Sequence, residues 1–404
     1  MIEIDGKKIY FVDLHLHSRF SRACSKDLNL GTLEKWGRVK GLDVIGTGDF
    51  THEGWLTELK ESLIEKEGIF YSKSGFKFIL TGEISLIYTR GRGRRVHLVL
   101  LAPSFETVDK INLWLDTKGR RDYDGRPIFK ISCEDFAAKM FAIDEKIEVI
   151  PAHVWTPYFG VFGSKSGFDS LKEAFGPQLD KVHAIETGIS STPAMNLKLR
   201  ELQDKTIVSF SDSHSFWPWR LGRECTIFNS IESYGGILKE IRENEIYGTI
   251  EVNPAYGKYH WDGHAGCDFS CSPEETKKLN GICPKCEKKL LVGVENRVEE
   301  LADVEDKRES KKVFDVLPLH EVLALSYGKG MNTKSVWDFY DKLIQEFENE
   351  FNVLLVVEEG DLLKIVDEKT ASLIIKNRQG KIKVKPGYDG VYGKAMLDEQ
   401  KKLF

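Results

Sequence analysis

Two histidines one residue apart, His15 and His17, open the chemistry of this sequence. They lie in YFVDLHLH (10–17), a run whose length and apolar content are those of a β-strand. Along a strand, side chains at i and i+2 leave by the same face, so the two imidazoles project together, with Asp13 below them. Asp212 and His214, in SFSDSHS, repeat that spacing at the end of another apolar run. Glu83 ends KFILTGEI and has two oxygens with which to bridge two ions. His97 and His153 add nitrogen donors, and Asp49, in GTGD, adds a carboxylate. Imidazole with carboxylate suits Zn²⁺, Mn²⁺ or Fe²⁺. Such clusters serve the hydrolysis of phosphate esters, where metals activate water and neutralise charge on the attacked and leaving oxygens. One histidine at a strand end is most simply a hydrogen-bonding residue; the paired spacing, met twice, favours metal. No Ser or Cys stands out as a nucleophile, which favours direct hydrolysis over a covalent intermediate.

These residues need a scaffold that gathers strand ends. Further strand-length runs occupy 43–49, 77–84, 96–102, 147–153, 182–188 and 207–212, and amphipathic stretches such as 30–41 and 191–203 lie between them. The alternation predicts parallel strands with helices on the faces. Most runs close on an ionisable residue: His15 and His17, Asp49, Glu83, His153, Glu186, Asp212. That is the pattern of a β/α barrel, whose active site lies at the carboxyl ends of its strands. No glycine-rich phosphate loop follows the first strand, which argues against a dinucleotide-binding sheet. The expected fold is α/β, a seven-stranded barrel over residues 1–250. A small module over 251–297 and a mainly helical region over 298–404 follow.

The 404 residues carry a formal net charge of −5, so this is no uniformly basic nucleic-acid binder. No apolar run reaches the roughly 20 residues needed to span a bilayer. The N-terminal residues lack a signal-peptide layout, and a cytoplasmic protein with no membrane partner is expected. Of seven cysteines, four cluster: Cys267 and Cys271 as CxxxC, Cys283 and Cys286 as CxxC. In a reducing compartment this spacing predicts one tetrahedral thiolate zinc, with no open position and hence structural. His260 and His264 precede the cluster as second-choice ligands. Lys277, Lys278, Lys285, Lys288 and Lys289 make the module basic. Arg90, Arg92, Arg94 and Arg95, in YTRGRGRR (88–95), are expected to grip nucleic-acid phosphates from a glycine-rich loop. KGRRDYDGR (118–126) is a second basic loop. The aromatics of HSFWPWR (214–220) and HVWTPYF (153–159) stand beside presumed ligands, for base stacking or for core packing.

The spacing of VDLHLHSRFS, GTGDFTH, TGEIS, His97, His153 and SFSDSHS resembles the polymerase-and-histidinol-phosphatase (PHP) family of phosphoesterases, over roughly the first 225 residues. The resemblance implies a distorted seven-stranded β/α barrel (PHP) that holds a trinuclear site. His15, His17, Glu83 and Asp212 would hold one metal; Glu83, His97 and His153 a second; Asp49 and His214 would help hold a third. Many members carry histidine where this chain has Ala23 and Asp49, so the third position departs from the family pattern. His52 and Glu186 are nearby substitutes or supports. Two or three divalent ions (zinc, manganese or magnesium) are expected, with Glu83 and Asp212 central to catalysis. The full layout, ending in PGYDGVYG, is similar to the endonuclease Q family of archaea and its bacterial relatives. That likeness implies a DNA repair endonuclease acting on damaged DNA, duplex or single-stranded. It would cut on the 5′ side of uracil, hypoxanthine, xanthine or an abasic site, with the lesion flipped from the stack. Two other readings compete: a histidinol-phosphatase-like enzyme for small molecules, and a non-catalytic scaffold binding DNA or a sliding clamp. The tail EQKKLF begins like a sliding-clamp motif but lacks its aromatic pair.

Overall fold

The computed structural model describes residues 2–305 and 311–397. It is a mixed α/β fold: one large sheet, helices against it, and a helical C-terminal region. The strands that carry the site are β1 (Lys7–Asp13), β2 (Val44–Gly46), β3 (Lys77–Arg90), β4 (Arg92–Ala102), β5 (Glu148–Pro151), β6 (Ala184–Glu186) and β7 (Thr206–Val208). β1, β2 and β3 pair in parallel, as the alternating pattern predicts. The prediction of parallel pairing fails at β3–β4 and β4–β5, because β3 turns at Gly91 straight into β4. With no crossover helix between them, the two strands must run antiparallel. β4 then pairs antiparallel with β5. The Val154 N–H donates to the Glu186 carbonyl at 3.1 Å, linking the end of β5 to β6, and β6 pairs in parallel with β7. Beyond β7, the backbone bridge between Leu16 and Ser213 returns the pairing to the end of β1.

The arginine-rich segment 88–95, expected as a loop, is therefore mostly strand, in register from Leu80 opposite Ala102 to Arg90 opposite Arg92. Gly91 alone makes the turn, with φ at 71°, a conformation that glycine adopts without steric cost.

Three more strands extend the sheet: β8 (Cys225–Phe228) antiparallel to β1, β9 (Gly248–Glu251) antiparallel to β8, and β10 (Lys312–Asp315) parallel to β9. Beyond β10 the chain forms helices Leu319–Tyr327, Lys334–Phe347, Glu350–Leu355, Glu359–Leu362 and Glu368–Arg378. After PGYDGVYG a short strand, Lys394–Met396, pairs antiparallel with Lys383–Lys385. The tail EQKKLF lies outside the described residues.

Helix Leu30–Lys40 ties the C-terminal helices to the sheet. Asn29 caps its start reciprocally with Thr32, and Gly41 ends it in the left-handed conformation. Its last residue, Lys40, is buried and pairs with buried Glu350 at 2.6 Å. Glu350 also accepts from Tyr340 Oη at 2.9 Å and from the Leu319 N–H at 3.0 Å. Every polar atom of that carboxylate is thus partnered, as burial of a charge requires. Among the described residues no helix is long and apolar enough to cross a membrane.

Candidate metal centre

β1 and the residues just past it deliver His15 and His17, both buried. β3 delivers Glu83, β4 delivers His97, and the turns after β5 and β7 deliver His153 and Asp212. These form two groups whose ligand atoms lie within 4.8 Å of one another: His15, His17, Glu83 and Asp212, and Glu83, His97 and His153. Glu83 belongs to both. Its Oε2 stands 3.5 Å from His15 Nε2 and 3.3 Å from His17 Nε2, while Oε1 stands 2.8 Å from His97 Nδ1 and 3.3 Å from His153 Nε2. Asp212 Oδ1 is 3.5 Å from His15 Nε2 and 3.2 Å from His17 Nε2.

The donors suit divalent cations. His15 Nε2 is buried without a hydrogen-bond partner and faces the first group. An orphaned imidazole nitrogen among carboxylates is the state expected of a ligand. Burial alone would raise the Glu83 pKa, but His97, Arg126 and His15 outweigh it and hold the carboxyl well below its ordinary value. Burial brings His97 down to about 4, so it is neutral and ready to donate. His15 and His17 move the other way: Glu186, Glu83 and Asp212 around His15, and Asp49 and Asp212 around His17, overcome burial and favour protonation. A cation would have to displace those protons.

The ligands are held by a second layer. Glu186 Oε1 is 2.9 Å from His15 Nδ1, and its Oε2 accepts the His153 backbone N–H at 2.7 Å. Asp49 lies 2.9 Å from His17 Nδ1 and accepts from Ser18 and Ser21. These bonds fix which ring nitrogen points inward. Asp49, His153 and Asp212 all have positive φ, at 47°, 31° and 45°. Non-glycine residues rarely adopt this conformation, and it is found where surrounding structure holds a site in shape.

The expected third set does not assemble like the other two. Neither group includes Asp49 or His214. The oxygens of Asp49 are taken by His17, Ser18 and Ser21. His214 lies beside the site, its ring 4.3 Å from that of His17 and its Nδ1 3.1 Å from the Asp212 carbonyl. His52 stacks on Phe20 instead. What the sequence reading did not single out is Arg126, whose Nη1 is 2.9 Å from Glu83 Oε2. The only signal for it was membership of a basic loop.

The cysteine module departs from expectation in one ligand. His264, Cys267, Cys283 and Cys286 bring their ligand atoms within 4.8 Å of one another. Cys271 packs in the same small core, but its Sγ is 3.2 Å from Thr276 Oγ1. The strand pair Asp262–His264 and Phe269–Cys271 explains this, since its register places His264 opposite Phe269 and Cys271 opposite Asp262, at the far end. Burial raises the Cys283 thiol, but the backbone N–H groups of Lys285 and Cys286 bring it down to about 7, toward the thiolate a metal needs.

The four hairpin arginines divide. Arg90 pairs with Glu134 at 3.1 Å, Arg92 donates to the Gly167 carbonyl at 3.0 Å, and Arg94 donates to the same carbonyl and lies 4.0 Å over Phe168. The Arg92 and Arg94 contacts tie the hairpin to the loop at Gly167 and Phe168, and the Arg90 pair ties it to helix Cys133–Ile143. Arg94 and Arg95 also line a cavity of about 770 Å³ with Lys130, Lys165, Tyr88 and Tyr158. Of the aromatics, Trp219 stacks on Trp217, and both pack with Trp337 from the C-terminal helices. Trp217 keeps 37% of its surface exposed.

A family model described as the MJ0043 C-terminal domain matches residues 318–381. The uncharacterized protein MJ0043 of Methanocaldococcus jannaschii is 33% identical over 294 residues, 70% of this chain; the chain spans about a third (35%) of that protein's length. The crystal structure of the lesion-specific endonuclease PfuEndoQ from Pyrococcus furiosus superposes with a TM-score of 0.87, at 29% identity, over 98% of both chains. A second structure, endonuclease Q in complex with a 27-mer duplex substrate with an abasic lesion at the active site, superposes with a TM-score of 0.88 at 30% identity, over 97% of this chain and 98% of that one.

Proposed function

The chain belongs to the endonuclease Q family, and from that premise we propose that it is a metal-dependent DNA repair endonuclease. It hydrolyses the phosphodiester on the 5′ side of a deaminated base (uracil, hypoxanthine or xanthine) or an abasic site. One observation carries the reading: Glu83 stands between two groups of buried imidazoles and carboxylates, within a fold shared along nearly its full length with a lesion-specific endonuclease. Those groups would hold two divalent ions (zinc, manganese or magnesium), which when bound would supply water activation and charge neutralisation at the phosphate. The chain's own part is to fix them: Glu83 sets the spacing between the groups, His15, His17 and Asp212 hold one, and His97 and His153 hold the other.

In the same reading, the closed run of pairings from β1 to β7 is a distorted seven-stranded β/α barrel within residues 1–250. Residues 251–297 form a structural zinc module held by His264, Cys267, Cys283 and Cys286, and residues 298–404 a third, helical part. The mouth accepts DNA, duplex or single-stranded, and the exposed part of Trp217 is the proposed stacking surface for a base. A cytoplasmic location and a sliding clamp as partner belong to this reading as well, the latter through EQKKLF.

The test is incubation of the full chain with end-labelled duplexes, each holding one lesion, with Mg²⁺, Mn²⁺ or Zn²⁺ added in turn. Cutting 5′ of the lesion, leaving 3′-hydroxyl and 5′-phosphate ends, is expected. Hydrolysis of a chromogenic phosphomonoester with no cutting of any duplex would favour a small-molecule phosphatase instead.

A further inference from the structure

Arg126 is aimed into the metal centre by a loop built for the purpose. The Gly125 N–H donates to the Phe20 carbonyl at 3.0 Å, and the Gly125 carbonyl accepts from Thr51 Oγ1 at 3.2 Å. Asp124 accepts the Arg126 N–H at 3.1 Å and pairs with Arg22 at 3.3 Å. A Cβ on Gly125 would fall 2.3 Å from the Asp49 carboxyl and 2.4 Å from Ser21 Oγ, so only glycine lets the loop come this close. The anchored turn delivers a guanidinium whose Nη1 lies 2.9 Å from Glu83 Oε2. Among the described residues, that is the hydrogen bond its side chain makes, and 26% of the side chain remains exposed.

The same region is where a third cation was expected. Asp49 is consumed in orienting His17, and position 23 is alanine. Glu83 Oε2 and Asp212 nevertheless concentrate negative charge there, and Arg126 is the cation that meets it. A guanidinium stays protonated across the working pH range and presents several donors in a planar fork suited to phosphate.

We propose that Arg126 is a catalytic residue standing in for a third metal, one edge held by Glu83 and the other contacting the non-bridging oxygens of the scissile phosphate. The site is then two metals plus an arginine. This rests on the endonuclease reading above. In the reaction, water oxygen forms the new P–O bond and the bond from phosphorus to the 3′ oxygen breaks. The electron pair and a proton end on that 3′ oxygen; Arg126 transfers nothing and stabilises the charge that builds on phosphate.

The test uses the full chain with its cysteine module filled with zinc, titrated with Mn²⁺ by equilibrium dialysis, then with inorganic phosphate by calorimetry. Two Mn²⁺ are expected to bind, in wild type and in Arg126→Gln and Arg126→Lys alike. Arg126→Gln should bind phosphate about tenfold more weakly or worse, as loss of a charged hydrogen bond predicts. Its single-turnover cutting of an abasic duplex should fall by about 10²–10³-fold. Arg126→Lys should lie between, and added guanidinium ion should restore part of the Arg126→Gln loss. A third Mn²⁺ in wild type would overturn the proposal. So would phosphate affinity in Arg126→Gln within about threefold of wild type, a difference too small for a charged hydrogen bond. Wild type that binds phosphate through Arg126 yet leaves every lesion duplex intact would sink the endonuclease reading, and the catalytic role with it, while leaving the Arg126 phosphate contact standing.

Discussion

Glu186 stands 2.9 Å from His15 Nδ1, on the side of the ring away from the metal group, and the same carboxylate holds the His153 backbone N–H at 2.7 Å. One buried acid thus orients a ligand of each group. Replacing Glu186 with Gln or Ala should weaken metal binding by about 10–100-fold without removing a ligand. Competition against a chelating dye measures this. Unchanged affinity would show that His15 and His153 are positioned by packing alone.

The cysteine module offers a sharper choice between two ligand sets. His264→Ala should release the bound zinc to a colorimetric chelator, and Cys271→Ser should keep it, because His264 and not Cys271 joins the group of ligand atoms. The reverse pattern would restore the four-cysteine set read from CxxxC and CxxC.

Lys40 and Glu350 couple the start of the chain to its C-terminal helices through a buried pair at 2.6 Å. Lys40→Met leaves the Glu350 carboxylate buried with its cation gone. Loss of about 3–5 kcal/mol is expected, the usual cost of breaking a buried pair from one side. Denaturant unfolding should show it as a lower midpoint. An unchanged midpoint would mean that the pair adds no net stability.

Away from the metals, Glu224 and Glu251 are buried together, and burial raises both pKa values, Glu224 from 4.5 to about 8. A carboxyl whose pKa is higher folded than unfolded binds its proton more tightly when folded. Its contribution to stability is therefore present at low pH and is lost as pH rises from about 4.5 to about 8. Glu224→Gln should flatten that slope, matching wild type best near pH 5 and exceeding it near pH 8. Thermal melts across that window provide the check, and parallel slopes for the two proteins would contradict it.

The stretches that supply the two groups of ligand atoms were legible because they lie in strands or just past strand ends: His15 and His17 follow β1, Glu83 and His97 lie in β3 and β4, and His153 and Asp212 follow β5 and β7. The i, i+2 spacing did not carry over to DxH, where Asp212 leaves the strand with positive φ and His214 joins neither group. Which residues only support the ligands was not legible. Asp49 reads as a ligand by type, and only its contacts with Ser18, Ser21 and His17 show its oxygens already taken. Arg126 was hidden, and His264 ranked behind Cys271, for a related reason. Both reach their sites through loop and hairpin register, which is decided by tertiary packing and not by spacing along the chain. The arginine hairpin failed similarly: glycines between arginines suggest a loop, but eleven residues of Arg92–Ala102 pair in register with β3.

The central claim is that Glu83, shared by both groups, makes this centre a phosphodiesterase for damaged DNA. The most direct measurement is single-turnover cutting of a duplex with one abasic site by wild type and by Glu83→Gln and Asp212→Asn, with binding of the same duplex followed in parallel. Wild type should cut 5′ of the lesion only with divalent metal present. Both variants should bind the duplex nearly as well and cut it at least about 10³-fold more slowly, the scale of losing a group that acts in the transition state. Cutting by either variant at the wild-type rate would contradict the assignment.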